Sequence, residues 1–152
     1  MNKKIHLKSL KTWELLGYLG LIPFVACLWI FKLTSSNDTT QLFFNPQQAF
    51  QFYSIIILTF LAGVLWKKES TQRYSKRQII SNLLCLYAYL WLFMPLFYAL
   101  IFLPLGYTAL IIAEYFFSEK KTQKRISPYF MMRLTLTFSV IILHAIALLA
   151  WF

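Results

Sequence analysis

At 152 residues, 59% of them hydrophobic and 19% aromatic against 13% charged, the chain has too much apolar surface to bury inside one water-soluble domain. A lipid bilayer is the solvent that this balance fits. The formal net charge of +10 does not point to nucleic acid, because the basic residues sit in short clusters between apolar segments and not along one helix face.

The first apolar segment, about residues 13–33, follows Lys3, Lys4, Lys8 and Lys11 and offers the roughly 20 residues that a helix needs to cross about 30 Å of hydrocarbon. Glu14 falls in its first turn, where the helix dipole favours an anion. Phe24-Val25-Ala26-Cys27 has the outline of a lipoprotein cleavage box, but Leu28 to Phe31 carry the apolar run past the cysteine, so no cleavage is expected. Cys27 and Cys85 lie inside apolar segments without CxxC spacing and read as small packing residues, with no disulfide and no metal expected.

A second segment, about 46–66, opens with Asn45 as N-cap, Pro46 in the first helical position and Gln48 able to close a capping box. The polar loop before it carries the sequon Asn37-Asp38-Thr39, which matters only in a compartment that glycosylates. The third apolar run, Ile79 to Phe117, is too long for one crossing and is interrupted by Pro95, Pro104 and Gly106. Dividing it near Pro95 gives helices at about 76–94, capped by Ser75 with Gln78 three residues on, and at about 96–117. The turn between them is apolar, so it must be shielded by protein or sit at the interface, because irregular backbone facing lipid would leave its amides unpaired. The last segment, 128–152, begins with the cap-and-proline pair Ser127-Pro128.

Charge supports this division, because short loops rich in Lys and Arg stay on the cytoplasmic side. With five crossings and a cytoplasmic N-terminus, Lys3, Lys4, Lys8, Lys11, then Lys67, Lys68, Arg73, Lys76, Arg77, then Lys120, Lys121, Lys124, Arg125 and Arg133 all fall inside, and only Lys32 falls outside. Trp13 and Trp66 then mark the cytoplasmic boundary, and Trp29, Trp91 and Trp151 the opposite one.

Three phrases carry a family resemblance: Leu16-Gly17-Tyr18-Leu19-Gly20-Leu21-Ile22-Pro23-Phe24; Tyr53 followed by Ile57-Leu58-Thr59-Phe60-Leu61-Ala62-Gly63-Val64-Leu65-Trp66; and Pro128-Tyr129-Phe130 leading to Met132-Arg133 and Leu136-Thr137. In order and spacing they resemble the uncharacterised small membrane proteins of proteobacteria whose family includes the animal mitochondrial transmembrane protein sixty-nine. The chain departs from that pattern at Ala62, where the family tends to have glycine, at Leu65, where it has histidine, and at Tyr129-Phe130, where it has a tryptophan-tyrosine pair. The resemblance implies a polytopic inner-membrane protein and brings no established activity.

The candidate chemistry is sparse. Gly17, Gly20 and Gly63, with Thr59 one turn before Gly63, put small residues where membrane helices can approach closely. Arg133, Thr137 and His144 lie within about 40° of one another on a helical wheel and form one polar stripe. Glu114, in the last turn of its helix, is at the end that the dipole makes unfavourable for a carboxylate. Antiparallel packing of the last two helices would bring it to the depth of Arg133 as an ion pair; the alternative has Arg133 reaching lipid phosphates while Glu114 meets Lys120 or Lys121. His144 has only His6 for company, so no metal cluster is expected. Leu16-Gly17-Tyr18 and Leu21-Ile22 are echoed by Leu105-Gly106-Tyr107 and Leu110-Ile111, as in an inverted repeat or by coincidence.

The sequence therefore predicts an all-α polytopic membrane protein: one transmembrane domain over 1–152, five helices, N-terminus cytoplasmic and C-terminus outside. No nucleophile-and-base pairing, phosphate loop or paired carboxylates mark an enzyme, and no cofactor is expected. The expected role is an accessory, assembly or binding component of the membrane, with an oligomeric transporter or channel as the rival. The expected partners are the bilayer and either other inner-membrane proteins or further copies of the chain. A lysine-bearing N-terminus without an Arg/Ser-rich presequence favours a bacterial inner membrane over a mitochondrial one.

Overall fold

A computed structural model of the protein describes residues 12–35, 45–65, 76–117 and 128–152. The sequon at Asn37, the caps Ser75 and Ser127, Trp66, and the basic clusters at 3–11, 67–73 and 120–125 lie outside the described residues. Within them, all regular structure is helical: α1 (Thr12–Leu19), α2 (Ile22–Ser35), α3 (Pro46–Gly63), α4 (Lys76–Leu90), α5 (Leu96–Phe117) and α6 (Pro128–Trp151).

The single first helix expected from sequence is broken in the middle, and Pro23 explains the break. It has no amide to give to the Leu19 carbonyl, and its ring crowds the turn before it. The backbone tightens there: the Gly20 amide is shared between the carbonyls of Leu16 and Gly17 at 3.2 Å each, and the Leu21 amide donates to Tyr18 at 3.0 Å. From α3, the Tyr53 hydroxyl donates to the Gly20 carbonyl at 2.9 Å. A neighbouring helix thus supplies a polar partner at the break.

The same device closes the α4–α5 turn. α4 stops at Leu90, short of 94, because Met94 precedes Pro95 and is pushed out of helical geometry. Residues 91–93 form successive tight turns, and the amide nitrogen of Gln51, on α3, donates to the carbonyls of Trp91 at 2.5 Å and Met94 at 3.4 Å. Gln51 itself is buried. α3 starts as its sequence suggests, with Asn45 Oδ1 accepting from the Gln47 amide at 2.9 Å and Pro46 in the first turn.

Side-chain pairs fix the helix directions. Phe24 meets Phe50 while Gly20 meets Tyr53, so α2 and α3 run antiparallel. Ser81 reaches Ala62 and Cys85 reaches Thr59, so α3 and α4 do too. Arg77 bonds the Phe117 carbonyl and Tyr87 that of Phe102, and Glu114 meets Arg133 while Phe97 meets Phe152; α4, α5 and α6 therefore alternate as well. The segment 79–117 is folded back on itself, and the start of α1 and the end of α6 lie at opposite ends of the bundle. Among the described residues, three stretches are long and apolar enough to cross a membrane: Leu15–Thr34, which includes the break, Leu96–Phe117 and Pro128–Trp151. The core is built on α3 and α5, with Phe50, Leu58, Leu103, Tyr107 and Leu110 fully buried.

Two glycines permit close helix approach. A Cβ at Gly17 would stand 2.9 Å from Leu136 Cδ1 and 3.3 Å from Met132 Sδ on α6; one at Gly106 would stand 2.7 Å from Leu58 Cδ2 and 2.9 Å from Tyr87 Cε1. Gly20 faces its own tightened turn, with Tyr53 Oη 3.9 Å away. A Cβ at Gly63 would meet no other described side chain or helix within 4 Å, so among the described residues it makes no close packing contact. Thr59 bonds its hydroxyl to the Ile56 carbonyl at 2.8 Å. Gly106→Val, which overpacks an enclosed three-helix contact, should destabilise by about 1–3 kcal/mol in thermal unfolding in mild detergent, whereas Gly63→Ala should be neutral or slightly stabilising.

Candidate functional site

Hydrocarbon gives a polar side chain no partner, so buried polar groups on membrane-type helices must find one another. Ser54 on α3, Tyr107 on α5 and His144 on α6 do this at the centre of the bundle, all at most 1% exposed. His144 Nδ1 is 2.8 Å from the Val140 carbonyl one turn back on its own helix. A carbonyl only accepts, so the proton is on Nδ1, and Nε2 accepts from the Ser54 hydroxyl at 2.9 Å. Tyr107 donates to the Ser54 carbonyl at 2.7 Å, its oxygen lying 3.4 Å from Ser54 Oγ. The donors run one way, from Tyr107 to Ser54 to His144 to Val140. Rings enclose the imidazole: Phe50 at 5.0 Å, Phe24 at 5.8 Å and Tyr107 at 6.1 Å between centroids.

A second polar contact links α5 and α6. Arg133 Nη1 lies 3.2 Å from Glu114 Oε2 and 3.3 Å from Oε1, the latter a hydrogen bond. Arg133 is 4% exposed and Glu114 18%. The antiparallel direction of α5 and α6 puts the two at one depth, and pairing offsets the cost of bringing a lone charge among apolar helices. The pairing is incomplete. Arg133 Nη2 is buried without a hydrogen-bond partner among the described residues, and the guanidinium carbon sits 5.9 Å from the Tyr129 ring centre.

Next to Arg133 is a partly open cavity of about 330 Å³ between α1, α2, α3, α5 and α6. Arg133, Thr137 and Tyr107 contribute to its wall, whereas Glu114, Ser54 and His144 do not. The polar stripe predicted on α6 is therefore divided. Arg133 faces Glu114 and the cavity, Thr137 the cavity, and His144 the Ser54–Tyr107 centre. All three are buried.

Sequence reasoning missed Ser54, Tyr107, Gln51 and Tyr53. Their available signal was the spacing of polar residues within an apolar helix: Gln51, Ser54 and, one turn on, Leu58 share the face of α3 that is buried. No group of three or more His, Cys, Asp or Glu suited to a metal occurs among the described residues.

These features define a class: a protein all-helical in its described residues, with three stretches among them long and apolar enough to cross a membrane and with hydrogen bonds from buried polar side chains linking its helices. The chain belongs to the family described as a protein of unknown function, DUF3429, which matches residues 9–149. Neither a curated protein nor a solved structure matches it.

The ion pair makes a specific prediction. Glu114→Gln and Arg133→Gln should each lower the unfolding temperature in mild detergent, and the double variant should lose less than the sum, with a coupling of about 0.5–3 kcal/mol. Additive losses would show that the two side chains do not hold each other.

Proposed function

We propose that the protein is an integral component of the bacterial inner membrane that crosses it five times, N-terminus inside and C-terminus outside, and acts without catalysis as an accessory or binding element. The observation that carries this reading is the use made of the polar side chains. Ser54, Ser81 and Tyr107 each bond a helix other than their own, and Gln51 and Tyr53 bond the turn and the break between other helices, so these polar groups are committed to holding the bundle together. Ser54 and His144 have the separation of a nucleophile and its base, but Ser54 is wholly buried and is not part of the cavity wall.

Geometry supports the topology. α3, at 18 residues, is about 27 Å long at ~1.5 Å per residue, and α4 gains length from the turns that follow it. The segments 1–11, 66–75 and 118–127, which carry most of the Lys and Arg, all join helix ends at one end of the alternating bundle. That is the end expected in the cytoplasm. The same reading takes the animal mitochondrial transmembrane protein sixty-nine as a relative, on the motifs around Gly17, Tyr53 and Pro128.

One experiment tests role and topology together in the native membrane. A reporter after Phe152 should be active only outside the cytoplasm and one near Thr122 only inside, and extraction in mild detergent should recover a stoichiometric membrane-protein partner. A reporter near Thr122 that is active outside would overturn the five-span arrangement. A monodisperse protein without partner that passes a solute in liposomes would replace the accessory role with transport.

A further inference from the structure

The cavity beside Arg133 combines apolar walls with one buried cation. Leu21, Ile57, Leu61 and Leu136 line it, and Leu16 and Phe60 at its rim are 63% and 69% exposed. Its mouth therefore opens sideways between α1 and α3, onto the medium that bathes the apolar helix faces. At about 330 Å³ it sits at the lower end of the roughly 300–1,000 Å³ typical of small-ligand sites, with room for part of one acyl chain.

The charge that contributes to its wall is half committed. The ion pair to Glu114 uses Nη1, and Glu114 lies off the cavity wall; Nη2, on a side chain 4% exposed, has no acceptor among the described residues. An unmet guanidinium donor is costly, and an oxyanion is the acceptor that it binds best. Fifteen Lys and Arg against five Asp and Glu, concentrated in segments that join this end of the bundle, favour an anion over a zwitterion.

We propose that this cavity is a binding site for an anionic phospholipid, one acyl chain entering between α1 and α3 and the phosphate accepting from Arg133 Nη2. The proposal rests on the membrane reading above and deepens it by naming a ligand class. The lipid reaches the site from the bilayer itself, through the lateral mouth.

The test uses the full chain, purified in mild detergent, stripped of lipid and offered phosphatidylglycerol, phosphatidylcholine with the same chains, or palmitate, with bound molecules counted by native mass spectrometry. The charge-assisted bond predicts that the wild type takes phosphatidylglycerol about tenfold more tightly than phosphatidylcholine. Arg133→Gln should erase that preference. Glu114→Gln, which breaks the same ion pair but keeps the guanidinium, should retain it and so separates lipid binding from the pair's structural role. Leu61→Trp, which fills the cavity and leaves Arg133 in place, should weaken both lipids and keeps the test decisive if Arg133→Gln does not fold. Equal binding of the two lipids by the wild type, a preference that survives in Arg133→Gln, or unchanged binding by Leu61→Trp would overturn the site. Palmitate binding as tightly as phosphatidylglycerol would overturn the phospholipid as occupant. A protein that fractionates with membranes yet shows no head-group preference loses only the lipid site; one that does not fractionate with membranes loses the membrane reading as well.

Discussion

The hydrogen bond from Ser54 to His144 is the contact on which the arrangement of the helices depends. Apolar side chains give helices little reason to prefer one another over lipid tails, so packing fit and polar contacts select the partners. Ser54 joins three helices at one point: its hydroxyl reaches α6, its carbonyl takes the Tyr107 proton from α5, and its own backbone belongs to α3. Changing the rotation of α3 would leave an imidazole nitrogen and a phenol unmet in an enclosed apolar core. Each group left unmet would cost about 1–3 kcal/mol.

From that centre α3 ties down the irregular parts of the chain. Tyr53 serves the break at Gly20, Gln51 serves the turn before Pro95, and the Ala62 carbonyl near its end accepts from Ser81 at 2.7 Å. Each bond lies where proline has interrupted a helix or near the end of one. The ion pair between Glu114 and Arg133 stands apart from this network and serves a different end. It links only α5 and α6, and it leaves one donor unmet on a residue that contributes to the cavity wall. The bundle is closed at its centre and open at one side.

The helices and their alternation could be read from the sequence because hydrophobicity, proline and basic clusters each act locally and agree. Glu114 and Arg133 could be matched by counting residues from a shared turn, which needs only that consecutive helices run antiparallel. The centre could not be read in that way. Ser54 is a single small hydroxyl in an apolar run, and Tyr107 lies in a stretch whose echo of Leu16-Gly17-Tyr18 suggested a repeat. The two copies now divide: Gly17 and Gly106 both admit a close neighbour, but Tyr107 is buried at the centre while Tyr18 is 42% exposed. Which polar residues meet depends on helix rotation, and rotation is a property of three helices together. Apolar composition continues across the break at Gly20, so in the sequence only Pro23 marks what happens to the backbone there.

The tautomer of His144 tests the central contact most directly. With His6→Gln to leave one histidine and the ring labelled with nitrogen-15, solid-state NMR of the protein in lipid should show a protonated Nδ1 and an unprotonated Nε2 that accepts a hydrogen bond, and Ser54→Ala should shift the Nε2 resonance alone. A proton on Nε2, or a resonance indifferent to Ser54→Ala, would contradict the Ser54–His144 bond and the helix rotation built on it.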